Sequence, residues 1–178
     1  MIKSLLLLDK DGTIIQPKSG QVFVQNPKDQ ELIKDAAEAI ALYRRSEIMI
    51  ISNQGGVAAG HKTLEEAIAE MQYALELSKI NSGFLCPDFE GQECYWVTAN
   101  QASKLTQHSG SYRKPNPGMV FAAIELFKQD HGVKPKQVIV VGDRDEDRDA
   151  ASAVIELGGI MTRFHWASDW REEVHIPF

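Results

Sequence analysis

The sequence predicts an α/β protein, a three-layer Rossmann-like core built on a mostly parallel sheet. Three observations point there. Short apolar runs alternate with stretches of helical periodicity along the 178 residues, the order of a sheet covered by helices. Each major run stops abruptly at a polar cluster, as strands do at the carboxyl edge of an open α/β sheet, where ligands bind. No repeat, low-complexity segment or linker interrupts this order, so residues 1–178 read as a single domain.

The elements follow in turn. Residues 5–8, four leucines, form the first strand. Residues 13–28, with Pro17, Gly20 and Pro27 around Val22, Phe23 and Val24, read as a short hairpin or flap. Leu32, Ile33, Ala36, Ala37, Ile40 and Tyr43 lie on one face of a first helix. Residues 48–51 are the second strand, and Leu64, Ile68, Met71 and Leu75 repeat the helical spacing after it. Residues 95–97 are a third strand, set between loops 81–92 and 99–113. Asn116 and Pro117 read as the N-cap and first residue of a helix that turns Val120, Ala123, Ile124 and Phe127 inward and ends at Gly132. Residues 138–141 are the fourth strand, 145–157 the last helix and 160–164 a candidate fifth strand.

Composition narrows the class. A chain 43% hydrophobic and 25% charged is an ordinary soluble globular protein. Its formal net charge of -6 gives no global basic footprint for nucleic acid, although a local basic groove fits inside an acidic average. This favours a small-metabolite substrate. Cys86 and Cys94 are the only cysteines, too few for a disulfide framework, which points to a reduced, cytoplasmic protein. The run at 5–8 is too short for a signal peptide and ends in charge. No apolar stretch approaches the roughly 20 residues that span a bilayer, so no membrane partner is expected.

Chemistry concentrates at the strand ends. Asp9, Lys10, Asp11, Gly12 and Thr13 follow the first strand, Ser52, Asn53, Gln54, Gly55 and Gly56 the second, and Gly142 and Asp143 the fourth. A chain leaving the sheet at Gly12 can turn both Asp9 and Asp11 into one crevice, which suits metal-assisted or covalent chemistry; alone, the same residues read equally as a strand and an Asp-Gly turn. Ser52, Asn53 and the glycines can offer a hydroxyl, an amide and open backbone N–H groups to a phosphate, or simply turn the chain. Arg113 and Lys114 supply fixed positive charge, or form a solvated surface pair. Asp143 is placed to ligate a hard cation together with Asp9. Two near-matches fail. Gly55 and Gly60 have P-loop spacing, but His61 stands in place of the lysine. Asp143, Asp145 and Asp147 imitate a calcium loop, but Arg148 and Val154 stand where glycine and glutamate are needed.

In order, Asp9-x-Asp11-Gly12-Thr13, Ser52-Asn53-Gln54, Lys114-Pro115 and Gly142-Asp143-x-x-x-Asp147 resemble the four signature motifs of the haloacid dehalogenase (HAD) superfamily of phosphatases, over about residues 5–150. The D-K-D-G-T, S-N-Q-x-G and Y-R-K-P-N-P-G-M stretches look most like the branch without a cap domain that holds histidinol-phosphate phosphatases, heptose bisphosphate phosphatases and polynucleotide 3′-phosphatases. The intervals between Asp9, Ser52 and Lys114 leave no room for an inserted cap.

The resemblance implies a Mg²⁺-dependent phosphomonoester hydrolase. Asp9 would be the nucleophile that forms an aspartyl phosphate, and Asp11 would protonate the leaving alkoxide and then activate water. Asp9, the Asp11 carbonyl and Asp143 would hold Mg²⁺, with Asp147 tuning the outer shell and Thr13 shaping the turn. Ser52, Asn53, Arg113 and Lys114 would bind the phosphoryl group, Lys114 also neutralising charge. Some relatives carry a zinc loop of four clustered Cys and His ligands; here Cys86, Cys94 and His108 do not make that set. Tyr112 ahead of Arg113 is closer to the polynucleotide phosphatases. Phe164, Trp166 and Trp170 could stack bases or close an edge of the core. The substrate expected is a small phosphorylated metabolite, a sugar phosphate or a histidinol-phosphate-like ester; the alternatives are a nucleic-acid 3′ end and a phosphate-binding module without turnover. A phosphotransferase or mutase would share the aspartyl phosphate, but open water access favours hydrolysis.

Overall fold

The structure is a computed structural model that describes residues 4–175. Its frame is a seven-stranded sheet in the order β7-β6-β5-β4-β1-β8-β9. The strands are β1 (Ser4–Leu8), β4 (Glu47–Asn53), β5 (Ser82–Cys86), β6 (Cys94–Thr98), β7 (Ala102–Leu105), β8 (Gln137–Gly142) and β9 (Thr162–Trp166). A separate two-stranded pair joins β2 (Ile15–Gln16) to β3 (Glu31–Leu32). From β5 to β9 all neighbours are parallel, and β6 and β7 extend the sheet antiparallel. The predicted α/β class therefore holds, with a mixed edge.

The leucines of β1 show why the sheet sits at the centre. Side chains alternate across a strand. Leu5 and Leu7 enter a core with Val120, Ala123 and Phe127 of α3 (Gly118–His131) and Val154 of α4 (Asp145–Gly158). Leu6 and Leu8 enter a second core with Ala36 and Ala39 of α1 (Ala36–Leu42), Met71 and Leu75 of α2 (Leu64–Ser78) and Trp170 of α5 (Ala167–Glu172). All four leucines are fully buried, at about 1.5–3 kcal/mol of hydrophobic stabilisation each. Helix α2 starts at a capping box in which Thr63 accepts from Glu66 N and the Glu66 side chain accepts from Thr63 N.

Several elements differ from expectation. β5 lies in the stretch expected to be a loop; its five residues are all buried, and Gly83 faces Met71 and Ile50 so closely that a Cβ would clash. β7 is a mostly exposed edge strand, Ala-Ser-Lys-Leu, with no apolar run to announce it. Leu32 belongs to β3, paired with Ile15, and helix α1 waits until Asp35 has taken a left-handed φ of 67°. The hairpin forms at the base of the flap; Val22 and Phe23 lie at 83% and 73% exposure without strand pairing. Asp29 organises that flap, accepting from Ser19 N and Oγ and from Gln25 N. α3 starts one residue later than expected, with Pro117 as its N-cap. β9 runs two residues past the expected 160–164 and leads into the short helix α5. Among the described residues no cap domain is inserted in the core.

Candidate active site

The carboxyl ends of β1, β4 and β8 lie side by side, and each delivers a functional group. Asp9 continues β1 by donating its N–H to Val141 O at 2.9 Å. The chain then folds back tightly, with Ile14 N and Ile15 N both donating to Lys10 O and Gly12 N donating to Ile15 O. Gly12 takes φ 85°, and a Cβ there would fall on the Asp143 carboxylate, so both conformation and space demand glycine. Thr13 Oγ1 donates to Asp9 Oδ2 at 3.3 Å, and Thr13 O accepts from Arg171 Nη1 at 2.5 Å. Beyond β8, Asp143 stands at the rim and Asp147 is buried in the first turn of α4, its Oδ2 accepting from Arg144 N at 3.2 Å.

Lys114 occupies the centre of this edge, 3% exposed. Its Nζ lies 2.6 Å from Asp9 Oδ1 and 2.5 Å from Asp147 Oδ1, and donates to Ile51 O at 3.2 Å. All three donor directions of the ammonium are thereby used. The loop that carries it is fixed from β4: Asn53 Nδ2 donates to Lys114 O at 3.0 Å while Lys114 N donates to Asn53 Oδ1 at 3.1 Å. The Asn53 carboxamide, expected as a phosphate contact, uses its oxygen and one N–H to hold the Lys114 main chain.

Asp9, Asp143 and Asp147 bring ligand oxygens within 4.8 Å of one another, opposed by the Lys114 ammonium between two of them and by Arg144 acting on Asp143. Burial pushes the Asp9 carboxyl up to about 7, against the pull of Lys114, with Asp147 and Asp11 adding to the rise. Burial also raises Asp143. Burial disfavours the Lys114 ammonium, yet Asp9 and Asp147 outweigh it and hold its pKa above the ordinary lysine value. Three convergent carboxylates fit a hard divalent cation such as Mg²⁺.

Asp11 faces elsewhere. Its Oδ1 is 2.7 Å from Lys10 Nζ and its Oδ2 accepts from Gln54 Nε2 at 2.8 Å. Burial works upward on this carboxyl, but Lys10, Gln54 and Lys62 hold it below the ordinary carboxylate range. Gln54 Nε2 also donates to the buried Ser52 Oγ at 2.8 Å. Arg113 turns outward, donating to Asp88 O at 3.4 Å with its guanidinium 5.3 Å from the Phe89 ring centre. Sequence reasoning gave no role to Lys10 or Gln54, although both stand inside the motifs it quoted, and nothing in the sequence pointed to Arg171.

The remaining candidates are placed apart. Cys86 and Cys94 are buried at the β5–β6 junction, where burial pushes the Cys86 thiol up to about 11 and raises Cys94 as well. His108 pairs with Glu125 at 3.1 Å. Tyr112 is buried and its hydroxyl accepts from His108 N. Trp170 is fully buried in the core on one face of the sheet, Phe164 packs against the core on the other, and Trp166 meets Phe164 edge-on at 4.9 Å. No helix among the described residues is long and apolar enough to cross a membrane.

Comparison with known proteins gives a consistent result. The family model described as "Polynucleotide kinase 3 phosphatase" matches residues 4–161. The D-glycero-D-manno-heptose-1,7-bisphosphate 7-phosphatase of Chlorobaculum tepidum is 30% identical over 146 residues, 79% of this chain and 69% of that protein. The histidine biosynthesis bifunctional protein HisB of Campylobacter jejuni subsp. doylei is 23% identical over 181 residues, and the chain spans 44% of its length. Among solved structures, the D,D-heptose 1,7-bisphosphate phosphatase from B. bronchiseptica, complexed with magnesium and phosphate, shares the fold at TM-score 0.62 and 20% identity, covering 97% of this chain and 96% of that one. A HAD-like phosphatase from Mesorhizobium loti does so at TM-score 0.66 and 21% identity, covering 97% and 85%.

Proposed function

Because the chain belongs to the polynucleotide kinase 3 phosphatase family, within the HAD-type phosphatases, we propose that it is a Mg²⁺-dependent phosphomonoester hydrolase working through an aspartyl phosphate on Asp9. The observation that carries this reading is the Lys114 ammonium held between Asp9 and Asp147 at the sheet edge. A carboxylate attacking a phosphate anion needs fixed positive charge beside it, and Lys114 is immobilised where it provides that.

In the proposed sequence an Asp9 oxygen attacks phosphorus in line with the ester oxygen. The P–O(Asp9) bond forms as the ester P–O bond breaks; Asp11, ionised in the free protein, takes the proton of the bound phosphate monoanion and passes it to the leaving alkoxide. Asp11, now a carboxylate, takes a proton from a water that attacks phosphorus and releases phosphate, restoring Asp9. Asp9, Asp143 and the Asp11 carbonyl would hold Mg²⁺, with Asp147 behind them; when bound, the ion neutralises the phosphoryl oxygens and lowers the Asp9 carboxyl back into its ionised range. Ser52 and Arg113 would meet the phosphoryl oxygens and the rest of the substrate, Asn53 keeps Lys114 in place, and Thr13 steadies Asp9. Preorganised charge supplies most of the rate, as is usual in phosphoryl transfer.

The substrate we assign is a small phosphorylated metabolite of the sugar phosphate class. The similarity to a heptose bisphosphate phosphatase and the acidic balance of the chain support it. The family model's own description keeps a polynucleotide 3′ end as the second reading. Phosphate release from sugar phosphates with and without Mg²⁺, in wild type and Asp9→Asn, tests the chemistry: loss of turnover in the variant is expected, and full activity would refute it. A salt series on a 3′-phosphorylated oligonucleotide separates the substrates, because polymer binding weakens steeply with salt and metabolite binding does not.

A further inference from the structure

Helix α2 carries a charge where its apolar stripe should be. Glu70 is 2% exposed, among the buried Ala67, Met71 and Ala74 of that helix, and a buried carboxylate is costly unless its charge is met. Two lysines meet it. Lys62 Nζ lies 2.6 Å from Glu70 Oε2, and Lys10 Nζ, 1% exposed, lies 3.9 Å from the same oxygen. Both lysines lead back to one carboxylate. Lys10 Nζ contacts Asp11 Oδ1 at 2.7 Å. Lys62 Nζ donates to Gln54 Oε1 at 3.5 Å, and Gln54 Nε2 donates to Asp11 Oδ2 at 2.8 Å. The five side chains close a ring, Asp11–Lys10–Glu70–Lys62–Gln54, that grips both oxygens of Asp11. Gln30 braces the ring by accepting from Lys10 Nζ at 3.2 Å and donating to Glu70 O at 3.0 Å.

We propose that Glu70 is a positioning residue for proton transfer: by anchoring Lys10 directly and Gln54 through Lys62 it holds the two donors that fix where the Asp11 carboxyl rests between its proton transfers. Glu70 makes no contact with the three-acid cluster or with Lys114. Its effect passes only through the ring, and the inference rests on the reading of Asp11 as the proton donor. Two lysines without Glu70 are two neighbouring ammonium groups with one carboxylate between them. Lys10 and Lys62 then repel, Gln54 loses its brace, and Asp11 samples other rotamers. A misdirected acid hurts most where the leaving group needs its proton.

That dependence supplies the test. Glu70→Gln and Lys62→Met are compared with wild type, in Mg²⁺, on phenyl phosphates whose leaving groups run from 4-nitrophenol to 4-methoxyphenol, reading kcat and KM separately. A nitrophenolate departs with little help, so kcat/KM, which reports formation of the phosphoenzyme and not its hydrolysis, stays within about threefold of wild type on that ester, whereas on the methoxyphenyl ester kcat/KM falls about tenfold or more, with kcat falling at least as far, a fraction of what a general acid contributes; the loss compared across the series is that in kcat/KM. A loss of equal size across the series, or none, overturns the proposal. If Glu70→Gln fails to fold by circular dichroism, Lys62→Met decides, because its side chain sits at the rim and its removal opens the same ring; an unchanged leaving-group dependence there also overturns the proposal. Wild-type protein that hydrolyses none of these esters would refute the phosphatase reading itself, an outcome distinct from failure of the ring.

Discussion

Replacing Asp9 by asparagine should destroy activity and make the metal-free protein more stable. The carboxyl is held at about 7 against an ordinary 3.8, a difference worth about 4 kcal/mol at about 1.36 kcal/mol for each pH unit. That figure is a ceiling, since Lys114 stays 2.6 Å away and loses a charged partner in the variant. Between pH 4 and 7 folded Asp9 keeps a proton that unfolded Asp9 has released. The native state binds more protons across that window, so this residue makes stability fall as pH rises. The asparagine side chain cannot ionise, and the substitution removes the slope. Urea unfolding in EDTA at pH 5 and pH 8 measures it. The variant should unfold at higher urea than wild type at pH 8, by about 1–4 kcal/mol, and the gap should narrow toward pH 5. Saturating Mg²⁺ should close it by stabilising wild type through binding. A variant no more stable than wild type at pH 8 without metal would show that burial does not penalise the Asp9 charge, and the reasoning would fall.

Three further changes probe separate parts of the site. Asn53→Ala removes two hydrogen bonds to the Lys114 main chain, and steady-state kinetics should show kcat down about 100-fold, the effect of a misplaced catalytic group, with the fold intact by circular dichroism. Gly12→Ala places a methyl against the Asp143 carboxylate at a φ of 85°; the Mg²⁺ concentration for half-maximal activity should rise sharply, and an unchanged metal titration would refute the close approach. Trp170→Ala hollows the core beneath α5 and should cost about 3–5 kcal/mol in thermal or urea unfolding; because its neighbour Arg171 holds Thr13 O, phosphatase activity should fall before global unfolding as temperature rises.

The parts of the site that lie at strand ends were legible in the sequence, because parallel strands end along one edge and Asp9, Ser52 and Asp143 each follow an apolar run. Lys114 was legible only as a motif; nothing local says that a lysine before a proline will be buried between two acids. Lys10 and Glu70 look like solvated charges, and their burial depends on partners 60 residues apart in the chain, which no window of sequence contains. β5 was missed because Ser-Gly-Phe-Leu-Cys has neither alternation nor a long apolar run, and β7 because an edge strand needs no apolar face. Helix α5, six residues long, is too short to display a period. The flap shows the reverse error: Val22, Phe23 and Val24 have strand composition, but the Asp29 carboxylate gathers the backbone around it into a turn before any pairing can form.

The hydrogen bond from Arg171 to Thr13 spans 158 residues of sequence, and the pair Asp9–Lys114 spans 105. During synthesis the turn at Asp9 therefore leaves the ribosome before the residues that will clamp it and waits for the last of them on the order of ten seconds at ordinary elongation rates. Its strand β1 gains one neighbour when β4 follows from Glu47, but its other edge stays open until β8, which begins at Gln137. Such long-range closure is slow. The strand that leads into Asp9 is thus open to mispairing in the nascent chain, and regain of phosphatase activity on refolding should report a late event of assembly.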